Sequence, residues 1–306
     1  MFDTLNVWFD VDGSPLQYEG CSGDFRHRYT KHISCYKLTG EPRGSYTHFT
    51  LCGSVARFVH GNNLTTATVE DVRSAMCKLS EEVGFPLLTA KVGMVDVAVD
   101  VAVNQPPEAY FKWLLGHGRG YARLEQGQTT LLYRKPTKAK VREFSFYNKV
   151  EEMRSAGMER NELTDNNLMR VEYRLRGGLS GTFFSSADCN SVENLLLPKN
   201  CDRLRRWMMR EYQSINKQTT LYTMKQEPVN PTPKEMTEYA AALLKAMHPE
   251  EYNQMVFQTY GAAATRYNRS RMNSKDKELE RLVEETGNPS IEELDCKVVE
   301  AIEGIK

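Results

Sequence analysis

At 306 residues, with 40% hydrophobic and 26% charged side chains, the chain suits one large globular domain or two modest ones. No apolar run approaches a membrane span. The seven cysteines are odd in number, scattered and without a CxxC pair, which argues against a disulfide framework and a zinc site. Lys plus Arg and Asp plus Glu stand at 40 each, so the net charge gives no sign of a nucleic-acid partner. Its distribution does: 18 basic residues against 11 acidic between Leu131 and Gln226, then 10 against 14 from Pro231 to the end. The middle third is the candidate phosphate-facing surface.

In chain order, the N-terminal "MFDTLNVWFDVDG" lacks the basic start and apolar core of a signal peptide and reads as a strand; a cytoplasmic protein is expected. "KHISCYKL" and "SYTHFTLCGSV" are further strands. "TVEDVRSAMCKLSEEVG" is an amphipathic helix, with Thr68 as N-cap and Gly84 as terminator. "MVDVAVDV" is a strand, "QPPEAYFKWLLGHG" a predicted helix ending at Gly116, and "TTLLYRK", "REFSFYNK" and "LMRVEYRLRG" are three more strands. "SVENLLLPKNCDRLRRWMMREYQSINK" is helical with a break at Pro198, "KQEPVNPTPKE" reads as a linker, and everything beyond it reads as helix. The prediction is an α+β domain over residues 1–228 and an all-helical domain over 229–306.

Three strands carry a polar face. Val95, Val97, Val99 and Val101 alternate with Asp96, Ala98 and Asp100; Met169, Val171, Tyr173 and Leu175 with Arg170, Glu172, Arg174 and Arg176; Phe144 and Phe146 with Glu143, Ser145, Tyr147 and Lys149. A sheet with helices on one side and a functional surface on the other produces this pattern. Asp96 and Asp100 are four residues apart, roughly 13 Å along a strand, too far to share a metal ion unless the strand bends sharply. Facing residues of neighbouring strands are only about 5 Å apart, so a metal site would join one aspartate to an acid such as Glu172. Oxygen ligands suit magnesium or manganese. The plainer alternative is that both aspartates face water on an exposed sheet and pair with the Arg170 row.

"DRLRRWMMREYQSINK" interleaves Arg203, Arg205, Arg206, Arg210 and Lys217 with Trp207 and Tyr212, a pattern suited to phosphate contact and base stacking. A tyrosine is also a competent nucleophile toward a phosphodiester, leaving a 5′-phosphotyrosine and a free 3′-hydroxyl.

Five stretches in order, "GSVARFVHGNNL", "AKVGMVDVAVDV", "FSFYNKVEEM", "LMRVEYRLRG" and "WMMREYQSINK", make the chain resemble the phage and plasmid rolling-circle replication initiators of the filamentous-phage gene II/X type. The resemblance covers roughly residues 45 to 220. It implies a palm-like antiparallel sheet with helices on one face, related to the HUH/Rep endonuclease fold. It also implies a metal-dependent, site-specific nicking of single-stranded DNA at a replication origin, with religation. The sequence departs from the wider pattern in having no His-x-His; His48 is a lone histidine and the weakest metal candidate. Carried over by position, Asp96 and Glu172 are the expected ligands of Mg2+ or Mn2+, with Asp100 as a weaker third. Tyr212 is the expected nucleophile and Tyr147 the runner-up, with Lys149 beside it on the scissile phosphate. Arg170, Arg174, Arg203, Arg206, Arg210 and Lys217 are the expected DNA contacts. Expected partners are single-stranded and origin DNA, with a host helicase or a second copy of the chain as candidates for the helical domain. A non-catalytic single-strand-binding module is the alternative from another class. A tyrosine recombinase or topoisomerase is disfavoured, because those enzymes need no metal and surround the tyrosine with arginines and histidines.

Overall fold

A computed structural model describes residues 1–12, 29–118, 120–136, 141–155, 157, 167–177, 179, 183–184, 190–225, 232–260 and 266–305. The chain divides into two compact units: Met1–Lys217 together with Glu293–Lys306, and Gln218–Glu292. The sequence boundary at 228/229 therefore lies eleven residues beyond the end of the first segment, and the last fourteen residues return to the first unit.

The elements of the first unit run β1 (Phe2–Asp12), β2 (Tyr29–Ile33), β3 (Tyr36–Arg43), β4 (Tyr46–Ser54), α1 (Val55–His60), α2 (Val69–Val83), β5 (Lys91–Val103), α3 (Glu108–Phe111), β6 (Leu114–His117), β7 (Ala122–Gln126), β8 (Thr130–Pro136), β9 (Val141–Asn148), α4 (Lys149–Ser155), β10 (Asn167–Arg176), α5 (Val192–Leu195), α6 (Pro198–Gln213) and β11 (Ile215–Lys217). Nine strands form one sheet in the order β2-β3-β4-β1-β5-β10-β9-β8-β7, and every pairing within it is antiparallel. The α+β class with a large antiparallel sheet is thus as expected.

Local chemistry sets the boundaries. Thr68 and Asp71 form a reciprocal capping box at the start of α2, and Gly84 closes it with φ 71°, a left-handed conformation that suits a residue without Cβ. The helical stretch breaks at Pro198 as expected: α5 ends at Leu195, and Pro198 opens α6 at a position where its missing N–H costs nothing. Two expectations are corrected. "KHISCYKL" is the hairpin β2–β3, turned at Ser34 with φ 53°. "QPPEAYFKWLLGHG" is helical only over the four residues of α3, because Leu114–His117 pairs with Ile215–Lys217 as a separate two-stranded ribbon.

The two faces of the large sheet differ sharply. Val95, Val97, Val99, Phe144, Phe146, Val171 and Tyr173 are buried on one face. There α6 packs Tyr212 against Phe144 and Phe146, with ring centroids 6.3 and 6.2 Å apart. Glu211 on the same helix turn approaches His117 Nε2 at 3.2 Å.

The C-terminal helix α10 (Pro289–Glu303) contributes to the first unit from Glu293 onward. Asp295 Oδ1 accepts from Tyr212 Oη at 2.6 Å and from Lys217 Nζ at 2.7 Å. Glu293 accepts from Tyr110 Oη at 2.7 Å and from Lys297 Nζ at 2.7 Å. Asp295→Ala therefore leaves a buried phenol and an ammonium without their acceptor. The expected loss is about 1–3 kcal/mol, read from urea unfolding; an unchanged midpoint would mean that the helix is held without this latch.

The second unit contains α7 (Pro233–Met247), α8 (Pro249–Tyr260) and α9 (Arg266–Leu282), with Ala242, Tyr252 and Leu279 as its small buried core. It is not all helix: β12 (Thr220–Met224) pairs with β13 (Val283–Gly287), a stretch the periodicity extends into the preceding helix. Most of the predicted linker, residues 226–231, lies outside the described residues. No described helix is long and apolar enough to cross a membrane.

Candidate functional site

The second face of the sheet holds the polar residues the strand patterns single out, and register decides which of them meet. Arg174 lies opposite Asp96, Arg170 opposite Asp100 and Glu172 opposite Ala98 across the β5–β10 pair. On the other side of β10, Arg174 faces Glu143, Glu172 faces Ser145, and Arg170 faces Tyr147. Directly opposite residues share a face, so these side chains form one surface. An open groove of about 310 Å³ lies over it, lined by Arg134, Glu143, Ser145, Tyr147, Glu152, Glu172 and Arg174 among others.

Each aspartate is clamped by an arginine. Arg170 donates from Nε to Asp100 Oδ1 and from Nη2 to Oδ2, both at 2.7 Å. Its Nη2 also reaches the Asn63 carbonyl at 2.5 Å, and its Nη1 lies 3.4 Å from Asp3. Arg174 repeats the fork on Asp96, at 2.9 and 2.7 Å, and its Nη2 bonds Glu172 Oε1 at 3.1 Å. The alternative weighed on the sequence, pairing of both aspartates with the arginine row, describes these contacts, although Asp96 is fully buried rather than wet.

Burial drives the electrostatics. It raises Asp96 above the ordinary carboxylate range, against the pull of Arg174. Burial and then the neighbouring Asp96 charge push Glu172 up to about 7. Tyr147 donates to Glu172 Oε2 at 3.2 Å; burial and the Glu172 charge hold the phenol protonated, opposed by Arg170. Lys149, fully buried at the start of α4, bonds Glu152 and has its ammonium 5.8 Å from the Tyr147 ring centroid. Burial, then the Arg170 charge, lowers its pKa.

The expected site residues therefore separate. Asp96, Asp100, Tyr147, Lys149, Arg170, Glu172 and Arg174 come together. Tyr212 does not: it is fully buried on the opposite face, its hydroxyl spent on Asp295 and its ring 3.7 Å from the Lys217 ammonium. Burial, then Asp295, raises its pKa. His48 bonds Asp10 at 2.7 Å, and Asp10 lies seven residues along β1 from Asp3, roughly 23 Å away.

The expected DNA contacts divide between the two faces of the sheet. Arg170 is 1% exposed and committed to Asp100, so no phosphate reaches it, and Lys217 is tied to Asp295. Arg203, Arg206 and Arg210 lie on α6, behind the sheet. There the Arg203 and Arg142 guanidinium groups stack on Trp207, 5.4 and 5.1 Å from its ring centroid.

Sequence reading missed Asp3, Asn63, Arg134, Glu143 and Glu152 as parts of the site. Asp3 is displaced from simple alternation by an irregularity between Phe2 and Leu5. The Gly61–Asn63 turn, capped by Gly61 at φ 74°, delivers the Asn63 carbonyl to Arg170. Glu143, which alternation already put on the polar face, is bonded by Arg134 Nε at 2.5 Å.

A divalent ion was expected between Asp96 and Glu172. All four of their carboxylate oxygens already accept hydrogen bonds, three from Arg174 and one from Tyr147. Among the described residues no group of three or more His, Cys, Asp or Glu side chains stands so as to hold a metal. The donor set in this arrangement does not fit magnesium, which demands near-octahedral oxygens at about 2.0–2.1 Å.

The di-domain ARO/CYC StfQ of the steffimycin biosynthetic pathway aligns over 63% of this chain and 74% of its own, at 10% identity and a TM-score of 0.26. DynU16 from the dynemicin biosynthetic locus aligns over 69% and 99%, at 12% identity and a TM-score of 0.21. Neither value supports an argument about fold or activity. No curated protein sequence matches. Residues 5–195 match the family described as the N-terminal part of a phage replication-associated protein, the gene II protein. With more than half of its length inside that match, and with strands β5, β9 and β10 that carry the site within it, the chain belongs to this family of phage replication proteins, the filamentous-phage gene II type of replication initiator.

Proposed function

We propose that the protein nicks one DNA strand at a replication origin through Tyr147, on the polar face of the sheet. The family implies a replication initiator with nicking activity in general. The observation that carries the finer reading is the contact of Tyr147 Oη with Glu172 Oε2 at 3.2 Å, at the floor of an open groove. Tyr147 is half-buried and oriented by its acceptor, whereas Tyr212 is enclosed.

In this reading the Tyr147 oxygen attacks the scissile phosphorus as its proton passes to Glu172. A carboxylate with its pKa raised toward neutrality is a better base than an ordinary one. The new Oη–P bond replaces the P–O3′ bond, and the departing 3′ oxygen takes up a proton as a free hydroxyl. The bond energy is kept in the phosphotyrosine for religation. Arg134 and Arg174, at the groove, are suited to receive the phosphate oxygens. No step is assigned to a metal ion.

The competing idea of a passive single-strand-binding surface is poorly served by this face. Asp3, Asp96, Asp100, Glu143, Glu152 and Glu172 stand here against Arg134, Lys149, Arg170 and Arg174. A surface with surplus carboxylates does not attract a polyanion for its own sake. The test uses labelled, origin-derived single-stranded DNA and a search for a denaturant-stable protein–DNA adduct, mapped by mass spectrometry. An adduct on Tyr147 is expected. An adduct on Tyr212 would move the chemistry to the other side of the sheet, and binding without any adduct would favour the passive module.

A further inference from the structure

The surplus of acid under the groove does not continue along the sheet. Two residues beyond Arg174 on β10, Arg176 lies opposite Met94, Met94 opposite Asn6, Asn6 opposite Cys52, and Cys52 opposite Lys37. Directly opposite residues share a face, so this row crosses five strands of the polar face with a cation at each end. The next row runs Lys91, Trp8, Thr50 and Thr39. Lys37, Lys91 and Arg176 are exposed, and none has a carboxylate partner among the described residues. Asp10 and Glu41, one row further on, are paired with His48 and Arg43.

Trp8 is the member of this surface that core packing does not explain. Its neighbours Val7 and Phe9 are buried in the core, whereas Trp8 is half-buried on the opposite side of the strand. The Lys91 ammonium stands 4.7 Å from its ring centroid, and the His48 ring lies 5.3 Å away, tilted by 43°.

We propose that this part of the face is a binding subsite for unpaired DNA, with Trp8 as the platform for a stacked base and Lys37, Lys91 and Arg176 on the phosphates around it. The inference deepens the nicking reading by carrying the same strand out of the groove. Every base has a π face, so such a platform accepts any sequence. A duplex stacks its bases on one another and offers none to the ring. An exposed ammonium–ring contact is weaker than base stacking, so an arriving base displaces Lys91 and leaves its charge beside the backbone. Lys91 is five residues from Asp96 on β5, roughly 16 Å away. Arg176 and Arg174 lie on one face of β10, which continues the cationic path to the groove. The acids of the groove floor do not attract a polyanion, and this band supplies the hold they lack.

The test reads binding and needs no nicking. A labelled single strand and the matching duplex are titrated with the full chain by anisotropy, and tryptophan emission is followed in parallel. Trp8→Ala should weaken single-strand binding at least roughly fivefold and leave duplex binding unchanged. Trp8→Phe should lose less affinity, but the quenching of emission by the single strand should fall away, since only two other tryptophans remain. Lys91→Ala/Arg176→Ala should reduce the slope of log affinity against log salt by about 1.4, the share of two phosphate contacts on a single strand. Thermal melting checks that each variant is folded; if Trp8→Ala does not fold, the Trp8→Phe quenching and the salt slope decide. Unchanged quenching in Trp8→Phe, an unchanged slope, or an equal loss on the duplex would overturn the proposal. A Tyr147 adduct beside Trp8 variants of unaltered affinity would sink this subsite alone. Binding that depends on Trp8 without any adduct would sink the nicking reading alone.

Discussion

Tyr147→Phe is expected to abolish the covalent protein–DNA adduct and to lower nicking by at least about a thousandfold, the scale on which losing a nucleophile acts. The substitution is conservative in every other respect. The ring keeps its place beside Lys149, and only the hydroxyl and its bond to Glu172 are lost. Binding of single-stranded DNA, measured by anisotropy, should stay within a few-fold, since phosphate contacts dominate affinity. Tyr212→Phe is the matching control. It removes a hydrogen bond to Asp295 behind the sheet, so it should cost about 1 kcal/mol of stability and leave nicking nearly intact. The reverse outcome, an inactive Tyr212→Phe that folds normally beside an active Tyr147→Phe, would show the polar face to be the wrong site.

That Tyr212 is buried on the face opposite Tyr147 illustrates where sequence reasoning stops. Alternation along "MVDVAVDV", "REFSFYNK" and "LMRVEYRLRG" identified the polar face correctly, because period two is a local property of a strand. Thr68 and Gly84 bounded α2 for equally local reasons. Which face a helix covers is not local. Tyr212 sits on the buried stripe of α6 with Leu204 and Met208, and the arginines around it suggested DNA as readily as a wet helix surface. Its acceptor Asp295 lies 83 residues further on, in a helix that periodicity finds but cannot return to the first unit. The arginine forks were hidden in the same way. Arg170 and Arg174 are visible as a basic row, but only the register of β10 on β5 reveals that each has an aspartate directly opposite. Short elements failed for a further reason: β6 exists because β11 pairs with it, and nothing in "LLGH" alone outweighs the helical signal before it.

The largest stability effect is expected at Arg170. Arg170→Met keeps much of the aliphatic volume but deletes a guanidinium that is bonded twice to Asp100, once to the Asn63 carbonyl and paired with Asp3. Breaking a buried ion pair from one side costs about 3–5 kcal/mol, because the partner charge is left uncompensated. Urea unfolding of the variant should show a loss of that size, with the m-value unchanged if the native state keeps its shape. Coupling supplies the decisive comparison. Once Asp100 is also removed, in Arg170→Met/Asp100→Leu, the stranded carboxylate is gone and at least about half of the loss should return. Destabilisation below about 1 kcal/mol in the single variant, or no recovery in the double, would mean that the fork is not what holds the polar strands together. The same contacts account for the division of labour between two arginines four residues apart on one strand. Arg170, sealed under the Gly61–Asn63 turn, holds β5, β10 and that turn in register, so that its cross-strand neighbour Tyr147 faces the groove. Arg174, by contrast, pairs with Asp96 at the edge of the groove with 37% of its own side chain exposed, so its loss should cost less than that of Arg170.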